Sequence, residues 1–295
     1  MLRISRVRQA LVFTGITSLV LASSLVAGAS TTSIKGVYNE ADAAAVPSTF
    51  KGTTLQVATD ASYPPDESIK GTAMVGFDID MIKAIGVTLG VNVNENNVIF
   101  GNILAGIVAG KYVIGNSSFT DEKSREKQVN FVDYFQAGEG VYALKSSKVT
   151  FTGLKSLCGM KVAVETGTTE QKDAVNTSKK CPSSKKVTVL AFPAQTGANL
   201  AVSSGQATLG FVDSQVAGYI VSQIKTFKLV GSAIEVAPYG IATPKTPAGR
   251  KLAKAIEGAI KTMIANGTYH AILSKYGVTT GGLPANKIVL NGAIS

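Results

Sequence analysis

The sequence predicts an α/β protein built as two similar lobes around a cleft. Three observations lead there. Short runs of strand character alternate with helix-period runs over most of the chain. A strand–helix–strand unit is met twice, and two extended segments join the two units. Hydrophobic residues make up 45% of the 295 residues, with few aromatics and no tryptophan. That composition and length suit an ordinary α/β chain able to bury two cores.

The elements follow in order. "MLRISRVRQ" is basic, and "ALVFTGITSLVLASSLVAGA" is apolar and ends in Ala27-Gly28-Ala29. This is the pattern of a secretory signal peptide over residues 1–29. The apolar stretch is also nearly long enough to stay as an uncleaved anchor. "LVAGAS" is like a lipoprotein box without its cysteine, so thioether lipidation there is excluded. Residues 30–52 are small and polar and read as a flexible leader, with a short helix at "NEADAAA" as the alternative. "TLQVATD" alternates as a strand, and "YPPDESIKGTAMVG" is rich in turn residues. "FDIDMIKAIGVTLG" reads as a helix with Asp78 as N-cap, Ile79, Ile82 and Ile85 on one face, and Gly90 as its stop. "VNVNENNVIF" is a strand, "GNILAGIVAGK" a short helix, and "YVIGNSS" a strand that stops at the serines.

"EKSREKQVNFVDYFQAGEGVYALKSS" then leads through a loop and a strand to a crossover near Leu144–Lys148. The second unit holds "KVAVETGTTEQKDAV" (strand, turn, helix), "KVTVLAFP" (strand), "TGANLAVSSGQ" (helix) and "ATLGFVDSQVAGYIVSQI" (strand, Asp213, helix). "KLVGSAIEVAPYGIATPK" carries the chain back. "TPAGRKLAKAIEGAIKTMIANG" opens with Pro247 near N1 and stops at Asn266-Gly267, and "TYHAILSKYG" restarts with Thr268 as cap. The resulting division is lobe 1 at 53–145 plus 238–282, lobe 2 at 146–237, and a C-terminal tail at 283–295.

The formal net charge is +10, but no basic block is interleaved with aromatics, so a nucleic-acid partner is not expected. Only two cysteines occur, Cys158 and Cys181. An export signal and an even count favour a disulfide, closing a loop of about 22 residues worth roughly 3 kcal/mol. His270 is the only histidine, which leaves no metal cluster. "GTTEQ" is too short for a phosphate loop and lacks its lysine. No cofactor is expected.

Ligands of open α/β sheets bind beyond the carboxyl ends of the strands, and Asp60, Ser118, Thr168 and Asp213 fall at such ends. Arg125 lies in "SSFTDEKSREKQVNFVDYF", either a solvated charge or a fork for a ligand carboxylate.

The stretches "VATDASYPP", "VGFDIDMIKAIGVTLGV", "GNILAGIVAGKY", "SSFTDEKSREKQVNFVDYFQAG", "VAVETGTTEQ", "ATLGFVDSQVAGY", "PYGIATPK" and "NGTYHAILSKYG" cover about residues 54 to 278. In this order they resemble the family 3 extracellular solute-binding proteins, the polar amino-acid receptors of ABC importers. The resemblance implies the two-lobed type II fold of periplasmic binding proteins, each lobe a mixed sheet flanked by helices, hinged by two crossover segments. It implies Arg125, Thr120, Thr168 and Thr169 on a ligand carboxylate, and Asp213 with the Ser118 carbonyl on an ammonium. Asp60, Tyr63 and Phe100 would surround the ligand side chain. Each has a plainer reading: Asp213, Thr168 and Thr169 as helix caps, Tyr63 and Phe100 as core.

The sequence departs from the family pattern at Asp66 in "PPDE", where an extra carboxylate beside Asp60 favours a cationic ligand or else points to solvent. It departs again at Val113 in "GKYVIG", and in the missing lipobox cysteine. The expected function is that of an exported, monomeric binding component, periplasmic or at the outer face of the membrane. It would close on a polar α-amino acid, a basic one among the candidates, and deliver it to a membrane permease. The rival readings are an enzyme on the same fold, of dehydratase or lyase type, using a carboxylate such as Glu165 or Asp66, and a ligand-sensing receptor component.

Overall fold

The computed structural model describes residues 34–293. The expected signal peptide, residues 1–29, lies outside the described residues. Among the described residues, no helix is long and apolar enough to cross a membrane.

The chain begins with helix α1 (Glu40–Ala45), then strands β1 (Thr54–Thr59), β2 (Ser62–Tyr63), β3 (Glu67–Lys70) and β4 (Ala73–Val75). Helix α2 (Phe77–Leu89), β5 (Asn92–Asn97), α3 (Phe100–Val108), β6 (Ile114–Gly115) and α4 (Lys123–Glu126) follow. The long strand β7 (Val129–Leu144) leads to β8 (Lys161–Glu165), α5 (Thr169–Lys180), β9 (Thr188–Phe192), α6 (Gln195–Ser203), β10 (Leu209–Asp213) and α7 (Ser214–Gln223). The chain returns through β11 (Phe227–Leu229) and β12 (Ile234–Pro244) to α8 (Pro247–Ala265) and α9 (Thr268–Tyr276).

One nine-stranded mixed sheet runs β5-β1-β6-β12-β7-β10-β8-β9, with β11 paired to β7, and β2-β3-β4 form a small separate sheet. The outer strands pair in parallel at both ends, β1 with β5 and β6, and β8 with β9 and β10. The central pairs around β7 and β12 are antiparallel. This is the α/β fold of two lobes that the alternation of elements predicts.

The apolar side chains collect at each end of the sheet. Val57, Phe77, Ile82, Tyr134, Leu252 and Ile256 belong to one core, and Val141, Leu157, Val162 and Phe211 to another. β7 serves both, since Val132 and Phe135 lie in the first and Val141 and Ala143 in the second. β12 does the same, with Ile234 against the second core and Tyr239 and Ile241 in the first. The passage between cores therefore falls inside β7, upstream of the crossover expected near Leu144–Lys148. Gly138 sits at this passage, where a Cβ would come within 2.7 Å of the Ile234 carbonyl oxygen. The strands approach too closely there for a side chain.

Helix α8 shows how local sequence sets an element. Thr246 caps it through Oγ1, which accepts from Gly249 N at 3.0 Å, and Pro247 opens the first turn. Leu252, Ile256, Ala259, Ile260 and Met263 recur at three- and four-residue spacing and are all buried.

Several expectations need correction. Residues 34–52 are not a free leader: α1 lies against α8, Thr262 Oγ1 donates to Asp42 at 2.7 Å, and Val46 joins the first core. The tail is folded too, with Leu283 and Ile288 buried and Leu290 bridged to Val132 of β7. Asp78 is not the N-cap of α2. Gly76 holds that position at φ 147°, where a Cβ would meet the Asp66 carbonyl at 1.9 Å. Asp78 points inward from the first turn instead. Thr268 is not the cap of α9 but its first residue, and Gly267 holds the cap position.

Cys158 and Cys181 are joined in a disulfide that ties the start of the second unit to the end of α5. Replacing both with alanine is expected to lower the free energy of unfolding by about 2–4 kcal/mol. Chemical denaturation of the oxidised protein and the double variant measures this, and equal midpoints would show that the bridge does not restrict the unfolded chain.

Candidate ligand-binding site

The carboxyl ends of β1, β6, β8 and β10 converge on one narrow cavity. Asp60, Tyr63, Phe100, Ser118, Thr120, Arg125, Thr168, Thr169 and Asp213, all named from the sequence, line it. Asp66 does not. Glu67, Ser117, Glu165 and Glu170 complete the lining.

Arg125 is the one basic side chain in this wall, and it is only 8% exposed. The loop before it folds back so that Nη1 donates to Thr120 O at 2.8 Å and Nη2 to Gly167 O at 2.9 Å. Its planar group lies 5.7 Å from the Phe100 ring and 5.6 Å from the Phe119 ring, and those two rings stack at 4.6 Å. Burial lowers its pKa from the ordinary arginine value, opposed by Glu122, Glu170 and Asp213. A guanidinium has five N–H donors, so those not engaged by the two carbonyls remain for an acceptor. The reading of Arg125 as a solvated charge is thus incorrect.

Asp60 ends β1 and is satisfied by backbone donors. Oδ2 accepts from Phe100 N at 2.8 Å and Oδ1 from Ser62 N at 3.0 Å. It is thereby fixed at the foot of α3. Asp213 ends β10 and precedes α7, yet its side chain makes no capping bond. Its Oδ2 accepts from the Tyr63 hydroxyl at 2.8 Å, and burial raises its pKa to about 6. Tyr63 therefore acts as a polar link across the cavity as well as an apolar wall. Thr168 is the cap of α5: its Oγ1 accepts from Gln171 N at 3.2 Å and donates to Glu165 O at 2.9 Å. Thr169 Oγ1 lies 3.4 Å from Thr120 Oγ1, so these hydroxyls meet across the cleft. Backbone N–H groups at the start of α5 add the partial positive charge of a helix N-terminus.

Ser118 adopts φ 48°, a left-handed conformation unusual outside glycine. Its own bonds hold it there. Ser118 N donates to Asp78 Oδ2 at 2.9 Å, and its hydroxyl donates to Asp66 Oδ2 at 2.8 Å. Asp66 is fully buried beneath the cavity and also accepts from Gln215 Nε2 at 2.7 Å. The expectation that Asp66 contacts a ligand side chain is corrected on this ground. Its carboxylate supports Ser118, and its neighbour Glu67 faces the cavity. Burial and the Asp78 charge raise the pKa of both Asp66 and Glu67.

Sequence reasoning passes over Glu67, Ser117 and Glu170, and names Glu165 only as a carboxylate of the rival enzyme reading. Ser117 and Glu67 adjoin named residues, and the Ser117 hydroxyl donates to Glu67 Oε1 at 2.7 Å. Glu165 ends β8, so the strand-end argument applied to Asp60 would have found it. Glu170 lies in the first turn of α5. Both glutamates are essentially buried, and each keeps one oxygen with no hydrogen-bond partner. Burial raises both pKa values, joined by the Asp60 charge for Glu165 and by Asp213 for Glu170. The wall therefore sets five carboxyl groups, Asp60, Glu67, Glu165, Glu170 and Asp213, against one guanidinium. His270 is exposed on α9, away from this wall.

The family profile described as bacterial extracellular solute-binding proteins, family 3, matches residues 55–279. Arginine-binding protein ArgT of Corynebacterium glutamicum is 27% identical over 232 residues, covering 77% of this chain and 75% of that protein. ABC transporter arginine-binding protein 1 of Escherichia coli is 27% identical, covering 75% of this chain and 90% of its own. Among solved structures, an ancestral arginine-binding protein bound to arginine is 32% identical and superposes with a TM-score of 0.71, over 77% of this chain and 99% of the other. On the match across its folded length, this chain belongs to family 3 of the bacterial extracellular solute-binding proteins.

Proposed function

We propose that this protein is the extracytoplasmic binding component of an ABC importer for a cationic α-amino acid of the arginine type. The observation that carries the reading is the charge of the wall, five carboxyl groups against one guanidinium. Burial favours the neutral form of most of these carboxyl groups, and only a cationic ligand gives them a partner in their ionised form. An α-amino acid with a basic side chain brings one carboxylate and two cations.

The roles follow from position. Arg125 and the Thr169 hydroxyl, with the N–H groups at the start of α5, receive the ligand carboxylate. Asp213 and the Ser118 carbonyl receive the α-ammonium. Asp60, Glu67 and Glu165 lie toward the side-chain end, with Phe100 stacked against the stem. Residues of both units meet around the cavity: Tyr63 with Asp213, Arg125 with Gly167, Ser62 with Gln195. A ligand gripped between them favours the closed arrangement. The named relatives are binding proteins, one of them of an ABC transporter, which supports release of an unchanged ligand to a permease rather than catalysis.

L-Arginine at 100 times its Kd is expected to stabilise the protein by roughly 2.7 kcal/mol, read as a rise in Tm. Arg125→Ala should weaken binding by about 2–5 kcal/mol, measured by calorimetry. Binding of glutamine in preference to arginine would keep the amino-acid reading and overturn the cationic one. No shift with any amino acid would overturn both.

Glu165→Gln tests the side-chain end. It should cost arginine about tenfold or more in affinity while changing glutamine affinity little, because only the cation loses its partner. Equal losses for the two ligands would place Glu165 in a structural role.

The pH dependence has a defined sign. Asp213 titrates near pH 6 in the folded protein, above the ordinary carboxylate value. Its ionised form, which attracts an ammonium, is lost as pH falls through 6. Arginine affinity should therefore fall below pH 6, by at most about tenfold per pH unit for this group. The free protein behaves oppositely. The raised carboxyl pKa favours the folded state below the unfolded value near 4, and that contribution is lost as pH rises through about 6. The thermal shift given by arginine should thus be larger at pH 7.5 than at pH 5, and a constant shift would argue against Asp213 as the ammonium partner.

A further inference from the structure

A second cavity adjoins the first. It is an open cavity of about 310 Å³ that shares Thr120, Thr169 and Asp213 with the ligand site. Its walls come from β7 at Glu139, β12 at Glu235, α5 at Asp173 and the loop at Asp121 and Glu122. Lys172 is the only basic side chain on it, and that ammonium is paired with Glu122. Lys172 and Lys180 act on Asp173 and Arg125 acts on Asp213, whereas the charges that act most on Glu139 are all acidic.

Glu139 supplies a separate observation. It is 4% exposed, and its Oε2 is buried with no hydrogen-bond partner. Its place in β7, in register with Asp213 of β10 and Ile234 of β12, fixes the side chain in this wall. The charged groups around it are Glu170, Asp173, Asp213 and Glu235, all acids, which together with burial push its pKa up to about 10. A buried carboxyl group in such company takes up a proton or a cation.

We propose that this second cavity is a cation subsite for an alkyl di- or polyamine, distinct from the amino-acid cavity, with Glu139 as its central acceptor and Asp173 and Glu235 beside it. Two features select an organic amine. Among the described residues, no group of three His, Cys, Asp or Glu side chains is placed to hold a metal ion. Ala137, Val236 and Ala237 line the same cavity as the carboxyl groups and offer apolar contact to a methylene chain. A ligand carboxylate has no free cation to meet here. The subsite does not depend on which amino acid fills the first cavity.

The test is calorimetric titration of spermidine and cadaverine into the purified protein, with and without saturating L-arginine, at low salt and at about 0.15 M salt. One equivalent of amine should bind in the presence of arginine. Glu139→Gln should weaken it about tenfold or more, and the pair Asp173→Asn with Glu235→Gln should weaken it several-fold, while arginine affinity stays within about threefold of wild type. The Tm of Glu139→Gln, expected at or above that of wild type, checks folding; if that variant does not fold, the Asp173 and Glu235 pair decides. Amine binding that only competes with arginine would overturn the proposal, because the amine would then occupy the first cavity. Absence of amine binding, or binding indifferent to all three substitutions, would also overturn it. If arginine itself fails to bind, the amino-acid reading falls, and the subsite is judged by whether amine binding depends on Glu139.

Discussion

Arg125 donates to Thr120 O on one side of the cavity and to Gly167 O on the other. That pair of bonds is made inside a wall of carboxyl groups and between two aromatic faces. A buried guanidinium needs acceptors for its donors and anions for its charge. The carbonyls fix its direction, and Glu122, Glu170 and Asp213 oppose its loss of charge on burial. Much of the surrounding architecture serves this arrangement: the fold-back of the 120–125 loop, the turn before α5, and the stacked Phe100 and Phe119.

The carboxyl groups are arranged in two layers with different work. Asp60, Glu67, Glu165, Glu170 and Asp213 face the cavity. Asp66 and Asp78 lie beneath it and hold Ser118 by its N–H and hydroxyl, while Tyr134 donates to Asp78 from below. The lower layer keeps Ser118 in a left-handed conformation that a free chain would seldom adopt. Its carbonyl is then available to the site as a consequence of backbone geometry. Gln215 extends the layer to the second unit, donating to both Asp66 and the Tyr239 hydroxyl.

The strands β7 and β12 give both cavities a common frame. Each passes from one core to the other without leaving the sheet, and Gly138 marks the passage in β7. The second cavity is walled by the same stretch of strand, around Glu139 and Glu235. The shared residues Thr120, Thr169 and Asp213 make the two cavities neighbours in charge as well as in space.

The sequence by itself determined the α/β class, the order of most elements, and the residues at the strand ends, because these rest on periodicity, capping chemistry and loop position. It also brought out Arg125, through the segment around it and the resemblance of the whole chain. It could not separate Asp66 from Glu67. Adjacent residues at the start of a strand face opposite ways, and only packing decides which one meets the cavity. Asp78 looked like a cap because an acid opens the helix; Gly76 took the position because the Asp66 carbonyl leaves no room for a Cβ. Leader and tail looked free because their burial depends on α8 and β7, far away in sequence. The excess of buried carboxyl groups was decided by tertiary structure alone. Glu67, Glu139, Glu165 and Glu170 are unremarkable glutamates in the chain, and they become a common field only when four separate elements bring them together.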